Sequence, residues 1–169
     1  MRFVFDASPL IHLAKAGLTF MIETMHGEKY TVPEVFREVV ETGKALGYAD
    51  ASIVEQLVTN KILKVRTPKT NMQTISKAHK DIHIGEAQVI VLSKEINAIA
   101  ILDDSVARSV AKIHNVRTEG TYSIILGALV NNLIKKEEAE ASLQKLVSSG
   151  WRCDIELYNR LLKIIRETH

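Results

Sequence analysis

Five carboxylates occupy positions where an α/β chain gathers its chemistry. Asp6 directly follows the β-favouring run Phe3-Val4-Phe5, and Asp103 and Asp104 directly follow the apolar run Ala98-Ile99-Ala100-Ile101-Leu102. In an open parallel sheet the strand ends that carry the outgoing loops form a shared crevice, so acids at two such ends converge if the strands are neighbours. Glu38 lies five residues after Pro33, about one and a half turns into the helix that proline opens, with Glu34 four positions earlier on a similar face. Glu86 falls in the first turn of the helix opened by Gly85. Gathered together without matching Lys or Arg, such groups repel one another and hold their protons more tightly unless a cation compensates. All-oxygen donors suit Mg²⁺ or Mn²⁺, and a pair of such ions roughly 4 Å apart supports phosphodiester hydrolysis. Taken one by one, each acid also has a plainer reading: Asp6 or Asp104 as a helix cap, Glu38 or Glu86 as a solvated helix charge, Glu34 as a first-turn dipole residue and Asp103 as an outer partner.

The pattern of the chain supplies elements to carry these acids. Phe3 to Phe5 reads as a strand, and Asp6-Ala7-Ser8-Pro9 starts a helix continued by Leu10, Leu13, Ala14 and Leu18. A second helical stretch runs from Phe20 to Met25, and Tyr30-Thr31-Val32 reads as a strand before the Pro33 helix, whose apolar face is Val35, Phe36, Val39 and Val40. A helix over Ala49 to Val58, a strand over Ile62 to Val65, the helix from Gly85, a doubly buried strand ending at Leu102, a helix from Ser105 to Ile113 and a short strand at Val116 to Thr118 follow. Beyond Gly120 the spacing predicts helices around 121–133, 136–147 and 154–166. The expected fold is α/β with a central, mainly parallel sheet and extra C-terminal helices, in a single domain over 1–169.

Composition narrows the classes. Hydrophobic residues make up 46% of the 169 residues and charged residues 25%, which excludes a disordered, collagenous or low-complexity chain. Aromatic residues are only 5%, so stacking platforms for nucleic acid are poorly supported, and the net charge of +2 selects no partner. The single cysteine, Cys153, excludes an internal disulfide and a Cys-based zinc cluster and points to a reducing, cytoplasmic setting. Asp6 interrupts the apolar start, and no run of 18 apolar residues follows, so neither a signal peptide nor a membrane span is expected. A Walker-type loop is absent, Ser8 replaces the second Asp of a haloacid-dehalogenase-like start, and for the group His79, Asp81, His83 and Glu86 surface histidines are favoured over a separate zinc site.

The motifs in order resemble the PIN domain. Phe3-Val4-Phe5-Asp6-Ala7-Ser8, Val32-Pro33 with Val35 and Glu38, Ile84-Gly85-Glu86-Ala87-Gln88, and Ile101-Leu102-Asp103-Asp104 with Ala107-Arg108 look like its successive motifs, over residues 1 to about 120. The likeness is closest to a prokaryotic PIN-like group related to VapC-type toxins. It implies a three-layer α/β/α fold and a Mg²⁺- or Mn²⁺-dependent ribonuclease. Asp6, Glu38, Glu86 and Asp104 would then be the catalytic, metal-binding acids, with Asp103 the competing fourth and Ser8 organising the first. Two departures stand out: Glu86 where many relatives have Asp, and Leu102 where a Thr is frequent. The different class of protein compatible with the same residues is a non-catalytic PIN-fold RNA-binding or interaction module.

RNA would need cations. Residues 61–80 carry Lys61, Lys64, Arg66, Lys69, Lys77 and Lys80 and no acid, a formal local charge of +6 that could lead a strand toward the third acid motif. A solvated loop and helix face is the competing reading. Arg108, one turn after Asp104, is placed either for a scissile phosphate or for a salt bridge. Apolar stripes of the terminal helices should be mainly core, with any surplus serving a homodimer or the small antitoxin protein that PIN toxins commonly bind, and Trp151 should anchor the turn between the last two helices.

Overall fold

A computed structural model describes residues 1–70 and 81–168. Five parallel strands, β1 (Arg2–Phe5), β2 (Glu28–Thr31), β3 (Leu63–Val65), β4 (Ile99–Ile101) and β5 (Thr118–Glu119), form one sheet in the order β3-β2-β1-β4-β5. The strands rich in Phe, Val and Ile take the centre, where Val4, Phe5, Ala100 and Ile101 are completely buried, as a sheet covered on both faces requires. Register does the rest: Phe5 lies beside Ile101, and the Asp6 amide donates to the Ile101 carbonyl at 3.1 Å. Asp6 is therefore level with Leu102, one residue short of Asp103.

Among the described residues the helices are α1 (Ala7–Lys15), α2 (Thr19–Thr24), α3 (Pro33–Phe36, then a π-helical stretch Arg37–Thr42, then Gly43–Ala45), α4 (Ala49–Thr59), α5 (Ile84–Glu95), α6 (Ser105–Ile113), α7 (Tyr122–Val130), α8 (Lys136–Ser148) and α9 (Ile155–Glu167). α5 packs on β1, β4, the start of α3 and α6, whereas α1 packs on α2, the π stretch of α3, α4 and α8, and α7 joins α2 to α8. The outcome is a three-layer α/β/α arrangement. The final strand starts two residues later than the pattern predicts, at Thr118, and Trp151 is buried between α8 and α9 with its ring 6.2 Å from that of Tyr122. Ile124, Ile125, Leu129, Leu143, Leu146, Leu161 and Ile165 are core, while Leu133 is exposed. Among the described residues no helix is long and apolar enough to cross a membrane.

The π stretch is the feature that periodicity did not announce. It keeps Val39 and Val40 in the core while carrying Glu38 on the outer side, and such insertions are frequent at functional sites. Its C-terminal neighbour Gly43 is required by packing: a Cβ there would stand 2.9 Å from the Ala51 Cβ on α4. Gly43→Ala is expected to lower stability by about 1 kcal/mol or more despite the better helix propensity of Ala, because two backbone-anchored methyls must part. A urea unfolding midpoint equal to that of the wild type would show that α3 and α4 separate freely.

Candidate functional site

The site grows from the ends of β1 and β4. Asp6 occupies the N-cap position of α1, yet its side chain makes no capping hydrogen bond. It is 6% exposed, and its pKa is pushed up to about 7, chiefly by burial and further by the charges of Glu86, Glu38 and Asp103, with the Ala7 amide pulling the other way. The lone helix-cap reading of this residue therefore fails. α5 can pack closely on α3 because Gly85 has no side chain: a Cβ there would be tight against Val35 Cγ2 at 3.3 Å, while Asp6 Oδ1 would lie at an ordinary contact distance of 4.0 Å.

Glu86, 8% exposed, accepts the His83 amide at 2.9 Å and so closes the first turn of α5. Burial raises its pKa, the His83 amide opposes, and Asp104 and Glu38 add to the rise. Glu38 itself is exposed on the π stretch, and its charge reaches both Asp6 and Glu86. Glu34 is turned aside into an ion pair with Arg37, in keeping with a first-turn helix charge.

The paired acids divide their work. Asp104 is exposed and caps α6, its Oδ1 accepting the Ala107 amide at 2.8 Å. Asp103 accepts two hydrogen bonds from Thr121, the amide at 2.8 Å and the hydroxyl at 2.6 Å. Thr121 is a partner of Asp103 that the sequence reading missed: it is 18 positions away and resembles only the start of a helix, although Gly-Thr directly after a short strand was a usable signal. His12 on α1 also lies within the electrostatic reach of Asp103; burial lowers its pKa, and its Nδ1 has no hydrogen-bond partner. Ser8 is exposed in the first turn of α1.

The donors are hard oxygens, and no Lys or Arg is among the charges acting most strongly on Asp6 or Glu86. Among the described residues no three His, Cys, Asp or Glu side chains stand close enough to make a ready-formed metal cage. Mg²⁺ keeps several waters and is commonly held by one or two carboxylates plus substrate phosphates, so the residues present fit a hydrated cation rather than an enclosed one. A cavity of about 360 Å³ lies elsewhere, lined by Met1, Phe3, Met21 and Ile124, and contains none of these acids.

The basic segment is less free than its sequence suggests. Lys64 pairs with Glu28 at 3.2 Å and lies 5.8 Å from the centre of the Tyr30 ring, over which Arg66 also stands at 5.7 Å. The Lys69 amide donates to Glu95, at the far end of α5 from Glu86, and Lys61 is exposed after α4. Lys77, His79 and Lys80 lie outside the described residues. Arg108 is half-buried on α6.

No curated protein matches the chain. A family description, PIN domain, fits residues 2–167. With that span, the strand order and the acids at the ends of β1 and β4, the chain belongs to the PIN-domain family.

Proposed function

We propose that this PIN domain, a member of a nuclease fold class, is a Mg²⁺- or Mn²⁺-dependent endoribonuclease. The observation that carries the reading is Asp6, a buried carboxylate at the end of a central strand whose proton is held up to about pH 7 by burial and by three neighbouring acids. Such a group is poised for a cation. Asp6, Glu38, Glu86 and Asp104 are the metal-binding acids, with Asp103 the alternative fourth and Ser8 in support. A bound divalent ion would supply Lewis-acid activation of water and charge stabilisation at the leaving oxygen of the phosphodiester.

The chain's own contribution is positional. The β1–β4 register sets Asp6 beside the loop that carries Asp103, Gly85 lets α5 pack against Val35 of α3, and the π stretch holds Glu38 on the outer side of α3. In metal-free protein below about pH 7 Asp6 carries a proton, so cation binding releases it and strengthens as pH rises. Arg108 and the exposed Lys61, with Lys64, Arg66, Lys69, Lys77 and Lys80, are the groups for RNA phosphates; where Lys64 is engaged by Glu28, strand binding must compete with that pair.

The finer reading is a cytoplasmic toxin-like homodimer restrained by a small antitoxin protein. Ile155, left exposed at the start of α9, is an apolar group such a partner could cover. The test of the enzymatic reading uses Glu38→Gln, because an exposed residue can be neutralised with little effect on folding. RNA cleavage in Mn²⁺ is expected for the wild type and a loss of about a hundredfold for the variant, with equal melting temperatures. Equal cleavage by both would remove Glu38 from the site. A wild type that binds RNA without cleaving it in Mn²⁺ would establish the non-catalytic binding module instead.

A further inference from the structure

Both oxygens of Asp103 are claimed by one residue from a distant part of the chain. The Thr121 amide donates to Oδ1 at 2.8 Å and the Thr121 hydroxyl to Oδ2 at 2.6 Å, the latter within the range of charge-assisted bonds. Thr121 is completely buried immediately ahead of α7. Its position follows from the sheet: Ile101 lies beside Glu119, and the Leu102 amide donates to the Glu119 carbonyl at 2.9 Å, so Gly120 and Thr121 arrive level with Asp103. Gly120 leaves the necessary room, since a Cβ there would stand 3.3 Å from Asp103 Oδ1 and 2.9 Å from the Tyr122 ring.

A carboxylate gripped at both oxygens cannot turn about its terminal torsion, and each oxygen keeps a lone pair for a cation. Asp104, by contrast, is exposed and engaged at Oδ1 as the cap of α6. We propose that Thr121 is a positioning residue of the acidic site, fixing the Asp103 carboxylate beside Asp6 so that Asp103 takes part in holding the divalent cation. The charge of Asp103 does act on Asp6. This inference rests on the metal-dependent reading above but specifies which residue keeps one of its acids in place.

The experiment is calorimetric titration of the full chain with Mn²⁺. Thr121→Val keeps the amide donor and the shape while removing the hydroxyl, Thr121→Ser keeps both donors, and Gly120→Ala crowds Oδ1 from outside. Expected are affinities within about twofold of the wild type for Thr121→Ser and about tenfold weaker for Thr121→Val and Gly120→Ala, the size usual for residues that orient a metal ligand. Neither of the weakening substitutions should weaken binding further in an Asp103→Asn background. A merely structural role would lower stability without that dependence on Asp103. Thr121→Val binding Mn²⁺ as tightly as the wild type, or weakening binding equally in the Asp103→Asn background, overturns the proposal; should that variant fail to fold, Gly120→Ala decides by the same two criteria. A wild type that binds Mn²⁺ yet cleaves no RNA overturns the nuclease reading while the affinity series still decides Thr121, and a wild type that binds no Mn²⁺ overturns both.

Discussion

Asp6→Asn is expected to be more stable than the wild type in metal-free buffer at pH 8 and, in Mn²⁺, to lose RNA cleavage by at least about a hundredfold. The two effects have one cause. In the unfolded chain Asp6 titrates near its ordinary value of 3.8, whereas in the folded protein burial foremost, and neighbouring acids, hold the proton to about pH 7. Between those values the native state binds a proton that the unfolded state has released, so stability falls as pH rises through the window. Fully developed, a shift of this size costs roughly 4 kcal/mol above pH 7. Asparagine has no proton to lose and escapes that dependence. Thermal melts from pH 4 to 8 should therefore slope downward for the wild type and less so for Asp6→Asn. Adding Mn²⁺ at pH 8 should restore the wild type by mass action and leave the variant nearly unmoved. Parallel melting profiles for the two proteins, with and without Mn²⁺, would show that Asp6 is not a buried charge awaiting a cation.

What the sequence discloses and what it withholds follow from the range of each interaction. The ends of β1 and β4 were legible because a run such as Phe3-Val4-Phe5 or Ala98 to Leu102, stopped by an acid, is a local pattern. That the two runs are neighbours is not local, and only the pairing of Phe5 with Ile101 makes their acids converge. The same divide separates Asp103 from Asp104: adjacent in sequence, one caps its own helix through Ala107, a contact of three residues' reach, while the other is held by Thr121 from the next strand exit. Charge behaves likewise. Residues 61–80 contain no acid, yet Glu28 from β2 and Glu95 from α5 come to lie against Lys64 and the Lys69 amide, so a track read from local composition is partly neutralised by elements that arrive from elsewhere. The π stretch around Glu38 was hidden because Val35, Val39 and Val40 fit an α-helical stripe equally well.

Glu86 carries two functions that substitution can separate. Its Oε2 accepts the His83 amide and closes the first turn of α5, and its buried charge faces Asp104 and Glu38. Glutamine retains a carbonyl oxygen able to accept the same amide but has no charge, so Glu86→Gln is expected to fold with stability equal to or above that of the wild type. Neutralisation removes a carboxylate whose ionisation burial and its neighbours oppose, a gain in the metal-free state. Its RNA cleavage in Mn²⁺ should nevertheless fall by about a hundredfold or more, because no neutral amide replaces a charge presented to a divalent cation. Alanine removes both functions and should cost about 1 kcal/mol for the lost cap in addition to the same loss of cleavage. The pair of variants thus distinguishes a helix-closing glutamate from a metal-binding one: cleavage retained by Glu86→Gln and reduced only in proportion to stability in Glu86→Ala would leave Glu86 as a cap alone. The opposite pattern, a stable and inactive Glu86→Gln, would show that cleavage needs the charge itself and not the hydrogen bond that closes the helix.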